Sequence, residues 1–264
     1  MIVLLSPSKA MDFTTEHPPV ETTQPLFLRD AQPLVEKLRP LSAADLRSLF
    51  GVSDKVAALN QERYRNWSLQ DHEVDARPAL YAYDGAVYKG LGAEELSPED
   101  RRYARDHLRI ISGLYGLLRP GDAILPYRLD MGTKLPNPEG GTLYAYWRDR
   151  LTEELARELR EGGGDEGSGI VVNLASKEYA DAVDFSRLPG RVLTCEFRDW
   201  KGGRYKQIQY YVKRARGLMA RYILQQRLRD AEDVKNFDLE GYFFSEEGSE
   251  GDHLLFLRDH VDST

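Results

Sequence analysis

The sequence predicts a mixed fold, α/β or α+β, because strand-like and helix-like patterns alternate at its beginning and in its middle. Residues 1–5 and 170–174 are short apolar runs of the kind that forms buried strands. Residues 27–38, 43–59 and 142–160 have apolar side chains at the spacing of amphipathic helices. A chain of 264 residues with 41% hydrophobic residues is long enough and apolar enough to bury a core.

Charge and cysteine content restrict the class of protein. The net charge of −7 argues against a surface that is basic all round, although 36 Lys and Arg residues leave room for a local basic cleft. Cys195 is the only cysteine, so an intramolecular disulfide is excluded and a reducing compartment is favoured. We find no apolar run long enough for a membrane span and no secretion signal, so we expect a cytoplasmic protein without a membrane partner.

Other elements are predicted from their boundaries. Ser42 is a predicted N-cap for the helix at 43–59, and Ser97 followed by Pro98 predicts another helix start. Residues 79–83 are a strand candidate. Three elements are predicted in the C-terminal half: a hairpin of residues 191–198 and 205–212 about a turn at 200–203, a helix that opens at Lys213, and a closing hairpin with an acidic tip over residues 237–258.

Residues 108–132, LRIISGLYGLLRPGDAILPYRLDMG, form the segment around which we expect the functional site to be arranged. Its apolar residues recur at helical spacing, and Gly113 and Gly116 interrupt that stripe. We therefore predict two short helices joined by a Gly-Leu-Tyr-Gly hairpin. Such a hairpin would turn backbone N–H groups and a helix N-terminus outward, where phosphate binds well.

Polar side chains follow both predicted buried strands. In open α/β sheets, residues just past the carboxyl ends of strands line the ligand crevice. For the loop after the first strand, a capped turn with a solvated lysine is an equally good interpretation. The candidate site residues from these two loops are Ser6, Ser8, Lys9, Asn173, Ser176, Glu178 and Tyr179.

Basic residues also recur at close spacing on two predicted helices, and the first group is either a solvated face or a phosphate-facing one. Positive charge early in a helix opposes the helix dipole, which favours anion binding by the second group. Lys89, beside Gly90, is a further candidate anion contact. The first group is Arg101, Arg102, Arg105 and Arg109, and the second is Lys213, Arg214, Arg216 and Arg221.

The sequence lacks the motifs of several common sites. Its five histidines are scattered without the spacing of metal ligands, so we predict no dedicated metal site. The glycine-rich fingerprints of dinucleotide and P-loop sites are absent, as is GxSxG, and we predict no cofactor. The acidic cluster within residues 246–252 is more typical of a solvated loop tip than of an iron site.

Five segments, in order and spacing, resemble the YaaA peroxide stress response family along nearly the whole chain. They are LLSPSKAMDF (4–13), SGLYGLLRPGDAILPYRLDMG (112–132), VVNLASKEY (171–179), KRARGLMARYI (213–223) and FDLEGYFF (237–244). The resemblance implies one compact α/β domain of unusual topology over residues 1–264, with a helix-hairpin-helix-like element at about 108–124 and a basic cleft. It also implies binding of double-stranded and branched DNA, and protection from hydrogen peroxide by limiting free intracellular iron.

The first functional hypothesis is non-specific binding of double-stranded DNA in that cleft. Backbone amides of the hairpin would bind one phosphate and arginines its neighbours, without reading sequence. By matching segment, the candidate DNA- or anion-binding residues are Lys9, Lys89, Gly113, Gly116, Arg119, Arg128, Lys213, Arg214 and Arg216.

The competing hypothesis is an enzyme that acts on a nucleotide or a phosphorylated sugar in the same cleft. Glu178 would be the general acid or base, with Asn173 and Lys9 as further catalytic candidates, while Lys9 and Arg216 would hold the phosphate. A purely structural alternative is that Glu178 pairs with Lys213 or Arg216. The sequence leaves the reaction and the oligomeric state open.

Overall fold

A computed structural model describes residues 1–73, 75–162 and 169–259, and these form a mixed α/β structure around one large sheet. The strands are β1 (Ile2–Leu5), β2 (Ala10–Met11), β3 (Arg77–Pro78), β4 (Tyr83–Asp84), β5 (Leu108–Ser112), β6 (Gly116–Leu118), β7 (Ala123–Ile124), β8 (Ile170–Asn173), β9 (Arg191–Trp200), β10 (Tyr205–Lys206), β11 (Phe243–Glu250) and β12 (His253–Arg258). The α-helices are α1 (Leu28–Leu38), α2 (Ala43–Phe50), α3 (Asp54–Asn66), α4 (Ala79–Ala82), α5 (Ala86–Leu91), α6 (Pro98–His107), α7 (Leu143–Gly162), α8 (Lys177–Ala180) and α9 (Gln209–Gln226).

The large sheet is parallel at its centre and antiparallel at its edges. Its strand order is β11-β12-β9-β8-β1-β5-β6, and β10 pairs with the end of β9. Neighbours from β12 to β5 run parallel, whereas β11 and β6 run antiparallel to their partners. Every residue of β1 and β5 is buried, so these strands are covered on both faces; β1 is apolar throughout, whereas β5 also contains Ser112 and Arg109, which pairs with Glu158.

Helix α9 packs against β9 and β1 and is itself covered by α5. The two helices approach so closely that their contact requires glycine. A Cβ atom at Gly90 would lie 2.2 Å from the Arg214 carbonyl oxygen, and one at Gly217 would lie 1.8 Å from the Val87 carbonyl oxygen. This contact fixes the position of α9, which carries the second basic group of the sequence.

Several predicted elements are confirmed. Residues 1–5 and 170–174 contain the buried strands β1 and β8, and residues 27–38 and 142–160 match α1 and α7 closely. Ser42 and Ser97 are N-caps with capping boxes. The predicted helix at 43–59 is divided into α2 and α3 at Gly51, whose φ of +61° ends the first helix.

The predicted helix-hairpin-helix at about 108–124 is wrong, because this segment forms β5, β6 and β7. Strand β5 pairs with β1 on one side and with β6 on the other. Residues 108–118 are buried throughout, so apolar side chains occur on both faces of this segment. A helical spacing of leucine and isoleucine can be selected from such a run by chance, and periodicity alone does not separate a buried strand from a buried helix.

Three smaller predictions also need correction. Residues 79–82 form the short helix α4, because the backbone N–H groups of Ala79 and Leu80 donate to carbonyls of the 120–122 loop instead of a strand. Of residues 205–212, only Tyr205 and Lys206 pair with β9. Helix α9 begins at Gln209, so Lys213 lies beyond its first turn and opposes the helix dipole less than predicted.

Candidate functional site

The sheet topology creates a crevice between the carboxyl ends of β1 and β8. The chain connects β1 to β5 on one side and β8 to β9 on the other, and α/β proteins bind ligands at such a switch point. Ser6 and Ser176 meet across it. The Ser6 hydroxyl accepts a hydrogen bond from the Ser176 backbone N–H at 2.8 Å, and the two hydroxyl oxygens are 3.3 Å apart. The Tyr88 hydroxyl donates to the Ser6 carbonyl at 3.1 Å.

Beside the two serines, the loop of residues 128–132 contacts Lys9 through Asp130 and Glu178 through Gly132. Lys9 Nζ lies 2.9 Å from Asp130 Oδ2, and Arg128 Nη2 lies 3.9 Å from the same oxygen. Glu178 Oε1 accepts a hydrogen bond from the Gly132 N–H at 3.0 Å. Within the described residues Glu178 forms no ion pair, so the structural alternative of a pair with Lys213 or Arg216 is not realised.

Asn173 and Arg216 line a neighbouring pocket of about 450 Å³, at the carboxyl end of β8 and beside the middle of β9. The buried Asn173 accepts the Ala175 N–H at 3.1 Å through Oδ1. Arg216 forms no hydrogen bond or ion pair with the described residues, and its buried Nε has no acceptor. Burial lowers the pKa of Arg216, as expected for a cation removed from water. Lys9 and Glu178 are outside this pocket wall, so the candidates divide into two adjacent groups.

Buried tyrosines support the 128–132 loop from below. The Tyr127 hydroxyl is 2.7 Å from that of Tyr83 and 2.6 Å from that of Ser112. The Tyr64 hydroxyl donates to the Arg128 carbonyl. Burial raises the pKa of Tyr127 to about 12, so its phenol is neutral near pH 7. These contacts give the tyrosines a positioning role for Arg128 and Asp130.

Besides Lys9 and Arg128, three more of the predicted DNA-binding cations are held near carboxylates. Arg119 donates to the fully buried Asp122 at 2.9 and 3.1 Å and to the Gln24 carbonyl. Arg214 donates through Nε to Glu240 at 2.9 and 3.1 Å. The Lys89 ammonium is 4.0 Å from Asp84 Oδ1, a looser and more exposed pair. The positive charges of Arg119 and Arg214 are therefore already compensated by carboxylates, so these residues would attract an anionic ligand only weakly.

Gly113 and Gly116 belong to a buried turn between β5 and β6. The Ser112 hydroxyl accepts the N–H groups of Leu114 and Tyr115 within this turn. A Cβ atom at Gly113 would lie 2.1 Å from the Leu129 carbonyl oxygen, and one at Gly116 would lie 2.7 Å from the Trp147 ring. The glycines are explained by close packing, and their turn does not present its amides outward as the sequence analysis expects.

A basic and aromatic surface, which the sequence analysis did not select, lies at the β9–β10 hairpin. We call it the hairpin surface and define it as Trp200, Lys201, Arg204, Lys206, Tyr210 and Lys213. Trp200 is 42% exposed and Tyr210 53% exposed, and the four cations have no ion-pair partner among the described residues.

A sequence signal for the hairpin surface exists. From residue 200 to residue 229 the chain contains no Asp or Glu, although the whole protein carries a net charge of −7. The same stretch holds nine basic residues: Lys201, Arg204, Lys206, Lys213, Arg214, Arg216, Arg221, Arg227 and Arg229. Of the hairpin surface, the basic groups predicted from local spacing include only Lys213, whereas the absence of Asp and Glu from residues 200–229 marks all of it.

Another cavity, of about 910 Å³, opens at the amino-terminal edge of the sheet beside Met1 and Ile2. Arginines of the first basic group line it and are compensated: Arg105 lies 2.8 Å from Glu21, and Arg109 lies 2.9 Å from Glu158. The wall also includes Gly162 and Gly169, which border residues 163–168 outside the described ranges. We therefore assign no ligand to this cavity.

Two other classes of site were sought in the described ranges. In residues 1–73, 75–162 and 169–259 no group of three or more His, Cys, Asp and Glu side chains is arranged to hold a metal ion. In the same ranges no helix has both the length and the apolar character required to cross a bilayer. The predicted acidic tip lies at the β11–β12 hairpin, where Asp252 pairs with Arg191 at 2.8 Å.

Comparison with known proteins gives a consistent result along the chain. Residues 1–248 match the family model described as peroxide stress protein YaaA. A UPF0246 protein of Alteromonas mediterranea is 49% identical over 258 residues, which cover 98% of each chain. A UPF0246 protein of Aromatoleum aromaticum is 48% identical over 258 residues, covering 98% of this chain and 99% of the relative. One from Hahella chejuensis is 46% identical over 260 residues, covering 98% of this chain and all of the relative.

Proposed function

This chain belongs to the peroxide stress protein YaaA family, and on that premise we propose that it binds double-stranded or branched DNA non-specifically in the cytoplasm and helps to limit free intracellular iron. The observation that carries DNA binding is the hairpin surface, which combines two exposed aromatic rings with four cations that have no carboxylate partner among the described residues. Cations of this kind neutralise phosphates and release counterions, which supplies non-specific affinity.

The proposal moves the centre of DNA contact from the crevice to the hairpin surface. Of the cations predicted for the cleft, Lys213 belongs to the hairpin surface, whereas Lys9 and Arg128 share the charge of Asp130. Because the rest of an acidic protein repels DNA, the acid-free stretch would also orient the molecule toward the duplex. Exposed Trp200 and Tyr210 add stacking platforms where bases are unpaired, as at a branch point.

Duplex affinity measured by fluorescence anisotropy tests this proposal. Lys201→Glu plus Arg204→Glu should weaken binding by about 10-fold or more, because two phosphate contacts are replaced by repulsion. Lys55→Glu plus Arg65→Glu is the matched control, since it changes net charge equally at exposed, unpaired cations elsewhere. Equal losses in the two variants, or a wild-type protein without measurable affinity, would contradict the proposal.

The effect on iron is proposed to be indirect. Its support is the family resemblance, and the described residues contain no set of metal ligands that would favour direct storage. Free iron can be measured in peroxide-treated cells that lack the protein and are complemented with wild type or with the hairpin double variant. If the effect depends on DNA binding, wild type restores a low iron level and the variant does not.

A second candidate function, an enzyme that acts on a nucleotide or a phosphorylated sugar, is favoured by the geometry at the switch point. The Glu178 carboxylate is held by the Gly132 N–H, without an ion pair among the described residues, beside the Lys9–Asp130 pair. A carboxylate so placed suits a general acid or base, with Asn173 and Lys9 as further candidates.

Thermal stabilisation across a set of nucleotides and sugar phosphates tests the second candidate. Glu178→Gln keeps an oxygen to accept the Gly132 N–H and removes the titratable group, so it separates chemistry from folding. A compound that is consumed by wild type and not by Glu178→Gln supports an enzyme. Absence of stabilisation by every compound would leave DNA binding as the sole proposal.

A further inference from the structure

We propose that Arg216 and Asn173 anchor a small molecule that carries an oxyanion, either a carboxylate or a phosphate, in the pocket of about 450 Å³ at the carboxyl end of β8 and beside the middle of β9. This inference does not depend on DNA binding. It deepens the second candidate function, because it names the chemical group by which a substrate of this region would be held.

The first argument is the uncompensated charge of Arg216. Helix α9 packs against β9 and places this side chain in the pocket wall, where its Nε is buried without an acceptor. A guanidinium stays protonated in proteins, so burial does not remove its charge. Because Arg216 is only partly exposed and its charge has no partner among the described residues, an oxyanion that enters the pocket gains an interaction that the protein leaves unmade.

The second argument is the charge balance of the remaining wall. Glu196 is already paired, 2.6 Å from Arg198 and 3.3 Å from His253, and Lys177 lies 2.8 Å from Asp181. Burial raises the pKa of the Cys195 thiol to about 12, so this neighbour of Arg216 is neutral near pH 7. The pocket therefore keeps one positive charge that no described residue neutralises.

The third argument is a second unused donor. Asn173 is buried, and its Oδ1 accepts the Ala175 N–H, which fixes the orientation of the carboxamide. Its NH₂ group has no acceptor among the described residues. A guanidinium and an amide NH₂ in one pocket, both without acceptors, match an oxyanion with several lone pairs, and charge-assisted hydrogen bonds of this kind are the strong ones.

Pocket size selects the kind of molecule. Small-molecule sites commonly have volumes of roughly 300–1,000 Å³, so a pocket of about 450 Å³ suits a metabolite. A DNA duplex presents its phosphates on a convex surface and does not enter a pocket of this volume. The ligand is therefore a small molecule bound through one oxyanion, at a site separate from the hairpin surface.

Calorimetry and thermal unfolding of the full chain test the site, with inorganic phosphate and malonate as probes and sodium chloride at equal ionic strength as the reference. We expect at least one probe to bind wild type and raise its Tm above the chloride reference. Arg216→Met should weaken that binding on the order of 10- to 100-fold, the effect of hydrogen bonds to a charged group. Preference between the probes distinguishes a phosphate ligand from a carboxylate ligand.

Stability separates a binding role from a structural one. Without probe, Arg216→Met should keep or raise the Tm, because it replaces an unpaired buried charge by an apolar side chain of similar length. Arg221→Met, on the same helix, removes the partner of Glu95 at 2.7 Å and should keep the full probe response.

Three results would overturn the site: no response of wild type beyond chloride, an unchanged response in Arg216→Met, or equal losses in the Arg216 and Arg221 variants. If Arg216→Met does not fold, Arg216→Lys keeps the charge without the planar fork and should still weaken probe binding. Duplex affinity should be unchanged in these Arg216 variants, so a failure of the oxyanion site and a failure of DNA binding are told apart.

Discussion

For a single cation, the deciding question is whether a carboxylate already holds it. Arg119 is 37% exposed but donates to Asp122, which is fully buried. Arg119→Gln should lower the free energy of unfolding by about 2 kcal/mol, less than the roughly 3–5 kcal/mol of a fully buried pair, because Arg119 itself is partly exposed. Chemical denaturation measures the loss. Duplex affinity should change by less than about 2-fold, since this charge is not available to phosphates; a large loss of affinity without loss of stability would contradict the assignment.

His107 makes stability depend on pH. Burial lowers the pKa of its imidazole below 6.5, although Nδ1 lies 2.7 Å from the Met1 carbonyl oxygen. The unfolded chain therefore takes up the proton at higher pH than the folded chain does. This contribution to stability is complete above about pH 6.5 and is lost as the pH falls from that value toward the lower pKa of the folded state, with a slope of at most about 1.4 kcal/mol per pH unit.

The His107→Phe variant isolates this dependence, because phenylalanine can replace the ring stacked on Tyr103 and does not titrate. Urea denaturation between pH 7.5 and 5.5 should give a shallower decline for the variant than for wild type. The comparison uses slopes, since losing the contact with Met1 also lowers stability at every pH. Identical slopes would exclude His107 as the source.

Single residues differ in how far the sequence determines their surroundings. The proximity of Ser6 and Ser176 follows from parallel strands that end at one edge, and a strand prediction is enough to expect it. The partner of Arg214 is Glu240, in a segment whose position depends on the whole C-terminal fold, so composition cannot reveal that this cation is occupied. The free guanidinium of Arg216 is likewise visible only when every neighbour is placed.

Among the elements, the contact between α5 and α9 is the most sensitive to added volume. Gly217→Ala would normally favour a helix, yet its Cβ would meet the Val87 carbonyl oxygen at 1.8 Å. We expect a loss of at least about 2 kcal/mol in the free energy of unfolding, measured in urea, because backbone atoms on both sides must move. Gly162→Ala, with no atom within 4 Å of the added Cβ, should be neutral or slightly stabilising. A Gly217→Ala protein as stable as wild type would show that the helices separate freely.

The elements that the sequence predicts well are those with a local chemical signal. The side-chain oxygens of Ser42 and Ser97 accept N–H groups in the first turn of their helices. Because this cap is local, both helix starts can be predicted without knowledge of the rest of the chain. Residues 108–118 carry no such signal, because burial on all sides removes the contrast between faces that periodicity measures. Their strand conformation is set by pairing with β1, which is more than 100 residues away in sequence.

On the scale of the whole molecule, charge is distributed unevenly, and salt dependence measures the consequence. If the four cations of the hairpin surface each neutralise one phosphate, the logarithm of duplex affinity should fall with the logarithm of salt concentration with a slope of about −3 to −4. Lys201→Glu plus Arg204→Glu should make that slope less negative by about 2, because two counterions fewer are released. Lys55→Glu plus Arg65→Glu makes the same change in net charge and should leave the slope unaltered, since those residues lie outside the surface. If both variants shift the slope equally, net charge and not the acid-free stretch governs binding; a flat wild-type dependence would mean that phosphate contacts contribute little.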